Sequence, residues 1–113
     1  MFKLKSNPLN HLNLRFNEKN LIPVVVQDNN NNDVLMMAWM NKESIERSIA
    51  FGNMVYWSRS RNEFWLKGAT SGNTQKLISL TVDCDRDCLL AKVSQNGPAC
   101  HTGQRSCFYT SIS

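Results

Sequence analysis

Three cysteines, Cys84, Cys100 and Cys107, carry the chemistry that most needs explaining. No CxxC pair is present, which disfavours a zinc ribbon or finger. Three thiolates from separate loops would leave a tetrahedral metal one open position. That is the arrangement of a catalytic zinc, with three protein ligands and a water whose pKa falls toward about 7. The same residues read equally as small buried hydrophobes, the ordinary role of free cysteine. A fourth cysteine, Cys88, allows two disulfides to be drawn. No secretion signal supports an oxidising compartment, and clustered cysteines in a cytosolic chain point to metal or catalysis.

Cys84 lies inside the run Asp83-Cys84-Asp85-Arg86-Asp87. In an extended chain the three carboxylates share a face and repel one another unless a cation sits among them. Hard oxygen ligands suit Mg²⁺ or Ca²⁺, whereas thiolates suit zinc. The alternative is a solvated acidic turn capped by Arg86. His101 directly follows Cys100 in a segment bracketed by Gly97 and Gly103, where the backbone can bend tightly. It is a candidate fourth ligand or general base. His11 reads as structural or exposed. The run Trp57-Ser58-Arg59-Ser60-Arg61 offers forked donors and hydroxyls suited to phosphate. Trp57 and Trp65 supply either a flat face for a base or core stiffness. Lys67 and the turn through Ser71 add a cation and backbone N–H groups that could nest an anion. The plainer reading is a basic hairpin tip with core tryptophans.

The elements that must position these residues are read from pattern. Ile22–Val26 and Val34–Ala38 flank the turn-forming residues Asn29–Asp33, which predicts a hairpin. Both runs are continuous, so both are predicted as buried strands. Asn41–Phe51 is the predicted helix, with Asn41 as N-cap, Met40 and Ile45 as a hydrophobic staple, and Gly52 closing it. Glu43 and Glu46 favour the positive end of its dipole, and Ile45 and Ile49 share its apolar face. Residues Leu9–Phe16 are ambiguous. From Met54 onward strands are predicted, with Val55–Trp57 and Phe64–Leu66 around a polar turn. Lys76–Cys84 alternates, and its wholly apolar face of Ile78, Leu80 and Val82 should meet the core. Leu89–Val93 follows the acidic turn. The predicted fold class is α+β, mostly antiparallel β-sheet with one or two packed helices, in a single domain over 1–113.

Composition sets the outer limits. The chain has 113 residues, enough for an apolar core without staples. It is 42% hydrophobic and 19% charged, which is globular rather than disordered. A net charge of +4 permits an anionic partner without demanding one. No apolar run approaches the roughly 18 to 20 residues of a membrane span. The basic N-terminus meets Ser6, Asn7 and Pro8 where a signal peptide would be apolar, so a cytoplasmic protein is expected.

In this order the motifs resemble the phosphoribosyl-AMP cyclohydrolase family of histidine biosynthesis. The resemblance runs from Leu12 to Phe108. It includes Val34–Asn41, Tyr56–Arg61, Trp65–Gly68, Thr70–Asn73, Asp83–Asp87, Gly97–Gly103 and Ser106–Phe108. It implies hydrolysis of the N1–C6 bond of N1-phosphoribosyl-AMP, opening the six-membered ring. It implies a homodimer with the zinc site shared between subunits. Carried over by position, Cys84, Cys100 and Cys107 correspond to zinc ligands, and Asp83, Asp85 and Asp87 to Mg²⁺ ligands. His101 is placed to move the proton as the ring opens. Trp57, Ser58, Arg59, Ser60, Arg61, Lys67, Ser71 and Arg105 are the candidate substrate contacts, the basic ones pairing with two phosphates. Two residues depart from the family pattern: Ala69 stands where glutamate is usual, and Cys88, read as a buried space-filler, where a small residue is usual. Many relatives carry a following pyrophosphohydrolase domain, and none is expected here because the chain stops at Ser113.

Two competitors make different demands. A zinc nucleobase deaminase would need H-x-E and P-C-x-x-C signatures, which are missing. A zinc-stabilised nucleic-acid-binding module fits the charge and the Arg/Trp hairpin, but calls for four closed ligands. No nucleic-acid or membrane partner is therefore expected.

Overall fold

A computed structural model describes residues 12–113; the expectations for His11 and the first residues of the Leu9–Phe16 segment lie outside them. Strands β1 (Ile22–Asp28) and β2 (Val34–Met40) form the expected antiparallel hairpin. Its turn closes through Asp28 N–H to Asp33 O at 2.8 Å and Asn32 N–H to Asp28 O at 2.8 Å. Helix α1 (Lys42–Phe51) follows directly. Asn41 Oδ1 accepts from Ser44 N–H at 2.8 Å, while Ser44 Oγ accepts from Asn41 N–H at 2.9 Å, a reciprocal capping box. Gly52 closes the helix in the left-handed conformation.

Strands β3 (Val55–Ser58) and β4 (Glu63–Leu66) make a separate two-stranded sheet, and β5 (Gln75–Val82) and β6 (Leu89–Gln95) return to the first. The larger sheet runs β2-β1-β6-β5. Its pairs are antiparallel except β1 with β6, which are parallel. With one helix and two mainly antiparallel sheets, the α+β class is the one the sequence predicts. Ile22, Val24, Val26, Leu35, Met40, Ala91 and Val93 are buried on one face of the large sheet, against Ile45 of α1 and Met54 and Tyr56 around β3. No buried side-chain nitrogen or oxygen among the described residues lacks a partner.

Three details differ from the sequence expectation. The hairpin strands are buried on one face only: β1 alternates buried and half-buried residues, and Val34 and Met37 of β2 are exposed. Continuous apolar sequence does not separate a two-sided from a one-sided strand. In α1 the buried face runs through Ser44, Ile45 and Ser48, and Ile49 is exposed. Ser48 Oγ accepts from Val55 N–H at 2.8 Å and donates to Ser44 O at 2.8 Å, so the serine face, not Ile49, joins the helix to β3. In β5 the register shifts between Leu77 and Ser79. This irregularity changes the side-chain alternation, so Leu77, Leu80 and Val82 pack on the core while Ile78 is exposed.

Candidate active site

The β3–β4 hairpin builds one wall of a cavity of about 880 Å³. Arg61 lies in the turn, Glu63 through Leu66 follow along β4 and Lys67 just beyond it, with Glu63 and Trp65 two residues apart on one strand face. The second wall is the loop from Gly68 to Asn73, contributing Ala69, Thr70, Ser71 and Asn73. The third is the loop after β6, contributing Cys100, His101 and Gly103. The two loops are pressed together at Gly97, where an added Cβ would collide with the Asn73 side chain. Gly97 also has φ of +73°, so glycine is required there on both counts. Gly103 N–H donates to Cys100 O at 3.1 Å, closing a turn that carries His101 exposed toward the cavity.

Cys100 and Cys107 lie close enough for each thiol to influence the other's ionisation. Thr102 Oγ1 donates to Cys100 Sγ at 3.0 Å and is the main reason that thiol is held below its usual pKa. Cys107 is exposed, and desolvation, then the neighbouring Cys100, push its thiol up. Lys67 is buried beside both thiols, and its Nζ donates to Ala99 O at 2.6 Å. Burial pushes its ammonium pKa down, and the thiol charges oppose that. Two soft sulfurs, one already inclined to be thiolate, with a neighbouring cation, fit part of a zinc site.

Cys84 is not with them. Among the described residues, the only three metal-ligating side chains within 4.8 Å of one another are Asp83, Asp85 and Asp87. Cys84 sits with those carboxylates in the β5–β6 turn, before β6 begins. Cys107 N–H donates to Leu35 O at 2.7 Å, at the far end of the sheet. By register Leu35 lies level with Ala91 and Lys92 and two strands across from β6, whereas Cys84 follows β5 beyond the paired Val82 and Leu89, so the two cysteines are set apart both along and across the sheet.

The carboxylates converge because the chain turns tightly rather than staying extended. Arg86 has φ of +70°, and Asp83 Oδ1 accepts from Asp87 N–H at 3.1 Å and Cys88 N–H at 3.2 Å. Desolvation raises the Asp83 pKa, but those two N–H groups and its acidic neighbours outweigh it and the net shift is downward. The bond with Asp85, then desolvation and neighbouring charge, raise Asp87. Arg86 does not cap the cluster: its guanidinium donates to Leu12 O at 2.9 Å. Cys88 is half-buried behind the turn.

The remaining candidates divide. Ser58, Ser60, Arg61, Lys67 and Ser71 line the large cavity. Trp57 and Arg59 line a second hollow of about 490 Å³, where Arg59 lies 4.7 Å from the Trp39 ring centre. Ser58 and Ser60 border both. Arg105 lines neither. It donates to Asp28 Oδ2 at 2.7 Å and reaches Asp33 at 3.4 Å, bracing the β1–β2 turn. Its bond, then Asn30 N–H, holds the Asp28 carboxyl below the usual range. Sequence reasoning missed Glu63, the one carboxylate lining the large cavity. Its signal was the two-residue spacing to Trp65, which a polar turn label hides.

Comparison with known proteins identifies the family. The family model described as phosphoribosyl-AMP cyclohydrolase matches residues 36–109. A phosphoribosyl-AMP cyclohydrolase of Roseobacter denitrificans is 59% identical over 99 residues, covering 88% of this chain and 77% of the relative. Those of Cereibacter sphaeroides and Paracoccus denitrificans are 58% and 57% identical over the same share of this chain, covering 83% and 82% of each relative.

Proposed function

From the premise that the chain belongs to the phosphoribosyl-AMP cyclohydrolase family, we propose that it hydrolyses the N1–C6 bond of N1-phosphoribosyl-AMP in histidine biosynthesis. The observation that carries the reading is the cavity. It sets basic and hydroxyl side chains beside His101 and the Cys100 thiol in one space. Arg61 pairs with a substrate phosphate, and Ser58, Ser60 and Ser71 donate hydroxyl hydrogen bonds. Lys67 is tied to Ala99 and stands by the thiols, so its charge acts at the reacting end rather than on a free phosphate arm. His101 takes or returns the proton as water adds at C6 and N1 departs.

Zinc dependence is part of the proposal. Cys100 and Cys107 hold the ion from one subunit, and Cys84 of the partner subunit supplies the third thiolate. The opposite-end placement of Cys84 supports sharing, because one sheet cannot bring its own two ends together. When bound, zinc supplies Lewis acidity that makes water reactive near neutral pH. Asp83, Asp85 and Asp87 hold Mg²⁺, whose charge relieves their mutual repulsion. The protein acts as a homodimer on a small-molecule substrate, without nucleic acid. No helix among the described residues is long and apolar enough to cross a membrane, which suits a cytoplasmic enzyme.

The test is an ultraviolet assay of the purified protein with phosphoribosyl-AMP, before and after a chelator and with zinc restored. Ring opening that is lost and recovered supports the reading. No turnover by the zinc-loaded protein overturns it. Salt-sensitive RNA binding in its place would favour the nucleic-acid module.

A further inference from the structure

We infer that the large cavity reads the charge of its ligand's base: the Glu63 carboxylate and the open face of Trp65 form a subsite for a cationic, N1-substituted purine. This rests on the proposed function and deepens it. Arg61, Lys67 and His101 give the cavity three basic side chains, yet Glu63 stands among them. Its carboxylate is in none of the ion pairs of the described residues. In a site for anionic phosphates alone, an unpaired carboxylate is a liability, because it repels the ligand. It is useful when part of the ligand is positive.

N1-substituted adenine meets that requirement. Substitution at N1 turns the ring nitrogen and the 6-amino group into an amidine that holds a proton at neutral pH. The base of AMP itself is neutral. A ligand with two phosphates and one cationic ring therefore matches a cavity with several basic groups and one acid. Trp65 supplies the second contact. Trp65 is 40% exposed and borders both hollows, and the tilted Tyr56 ring braces it at 5.4 Å between centroids. The Lys67 ammonium already lies 5.2 Å from the Trp65 ring centre, so the indole is in use as a partner for positive charge. Glu63 and Trp65 are two residues apart on β4, the spacing that sets both on one face. A base stacked on the indole thus has the carboxylate near its edge.

The experiment titrates the zinc-loaded protein with N1-methyl-AMP and with AMP by calorimetry. The two differ in ring charge but carry the same phosphate. The parent should prefer N1-methyl-AMP roughly tenfold, the scale of one cation–π or charge-assisted contact. Glu63→Gln should cut that preference several-fold by weakening N1-methyl-AMP while AMP binds no less tightly than before, and Glu63→Asp should retain more of it. Equal affinity of the parent for both nucleotides overturns the inference, as does a preference undiminished in Glu63→Gln. Equal weakening of both nucleotides in that variant also overturns it, because the residue would then be structural. The parent's turnover of phosphoribosyl-AMP separates the two levels. Turnover with equal affinities sinks the charge reading alone, whereas no turnover and no affinity for either nucleotide sinks both.

Discussion

His101 and Cys100 are adjacent in sequence but are assigned different work in the proposed function. Cys100 is buried and accepts from Thr102, while His101 is exposed at the cavity. His101→Ala should therefore keep zinc but slow turnover by roughly 10²- to 10⁴-fold, the usual range for a lost general acid or base. Metal mass spectrometry and the ultraviolet assay on one preparation separate the roles: zinc lost together with activity would make His101 a ligand. The same pair of measurements sorts the cysteines. Cys84→Ser, Cys100→Ser and Cys107→Ser should each lower zinc content and abolish turnover, because oxygen replaces thiolate poorly on this ion. Cys88→Ala should do neither. Retained zinc and activity in Cys100→Ser would defeat the ligand assignment. These proposed roles rest on residue types and spacing and on the family resemblance. What spacing could not show was that Lys67 is buried against Ala99 or that Arg105 faces the β1–β2 turn, because both contacts span more than thirty residues.

Elements were legible where local chemistry decides them. Asn41 and Gly52 mark both ends of α1 because caps act within one turn. The Asn29–Asp33 turn marks its hairpin for the same reason. The shift at Ile78 was not legible, since it depends on how β5 meets β6, and neither was the parallel pairing of β1 with β6. The β1–β2 turn also carries a pH signature. Asp28 is buried and its folded pKa is lowered, first by Arg105 and then by Asn30 N–H. Its contribution is present above the unfolded carboxylate pKa near 3.8 and is lost as pH falls through the lowered folded value. Asp28→Asn should destabilise the protein by about 1 to 3 kcal/mol at pH 7, the scale of a lost hydrogen bond to a charged group. Denaturant melts of parent and variant should converge as pH drops below the ordinary carboxylate range. A gap that stays constant into acid would show that Asp28 acts by packing and not by charge.

At the scale of the whole molecule, the proposed zinc ligands Cys84 and Cys107 lie toward opposite ends of a sheet. A shared site makes a sharp prediction from that distance. Cys84→Ser and Cys100→Ser should each be inactive alone. Mixed after dissociation, or co-expressed, they should recover activity, because each heterodimer holds one site with all three thiolates intact. Recovery should reach about a quarter of parental activity when half the dimers are mixed and each has one of two sites, by the pairing arithmetic of a twofold dimer. No recovery, with heterodimers confirmed by native mass spectrometry, would place all three ligands in one subunit and demand a different fold for the β5–β6 turn. The symmetry of such a dimer is not written in any one segment of sequence, because it follows from where β6 begins and ends.

The segment that carries Cys107 also lies along β2, an outer strand of the large sheet. Cys107 N–H takes the Leu35 carbonyl and Ser106 Oγ takes that of Val34 at 2.8 Å. Unpaired carbonyls on such a border are a template for any extended chain, and proteins that leave them bare tend to aggregate. The backbone that presents the proposed metal ligand Cys107 is therefore also the guard on the sheet's margin. Holding Cys107 in place keeps the segment seated. With Cys107 a zinc ligand as proposed, loss of the metal would loosen a ligand and a guard together, so that metal starvation and clumping would become one failure rather than two.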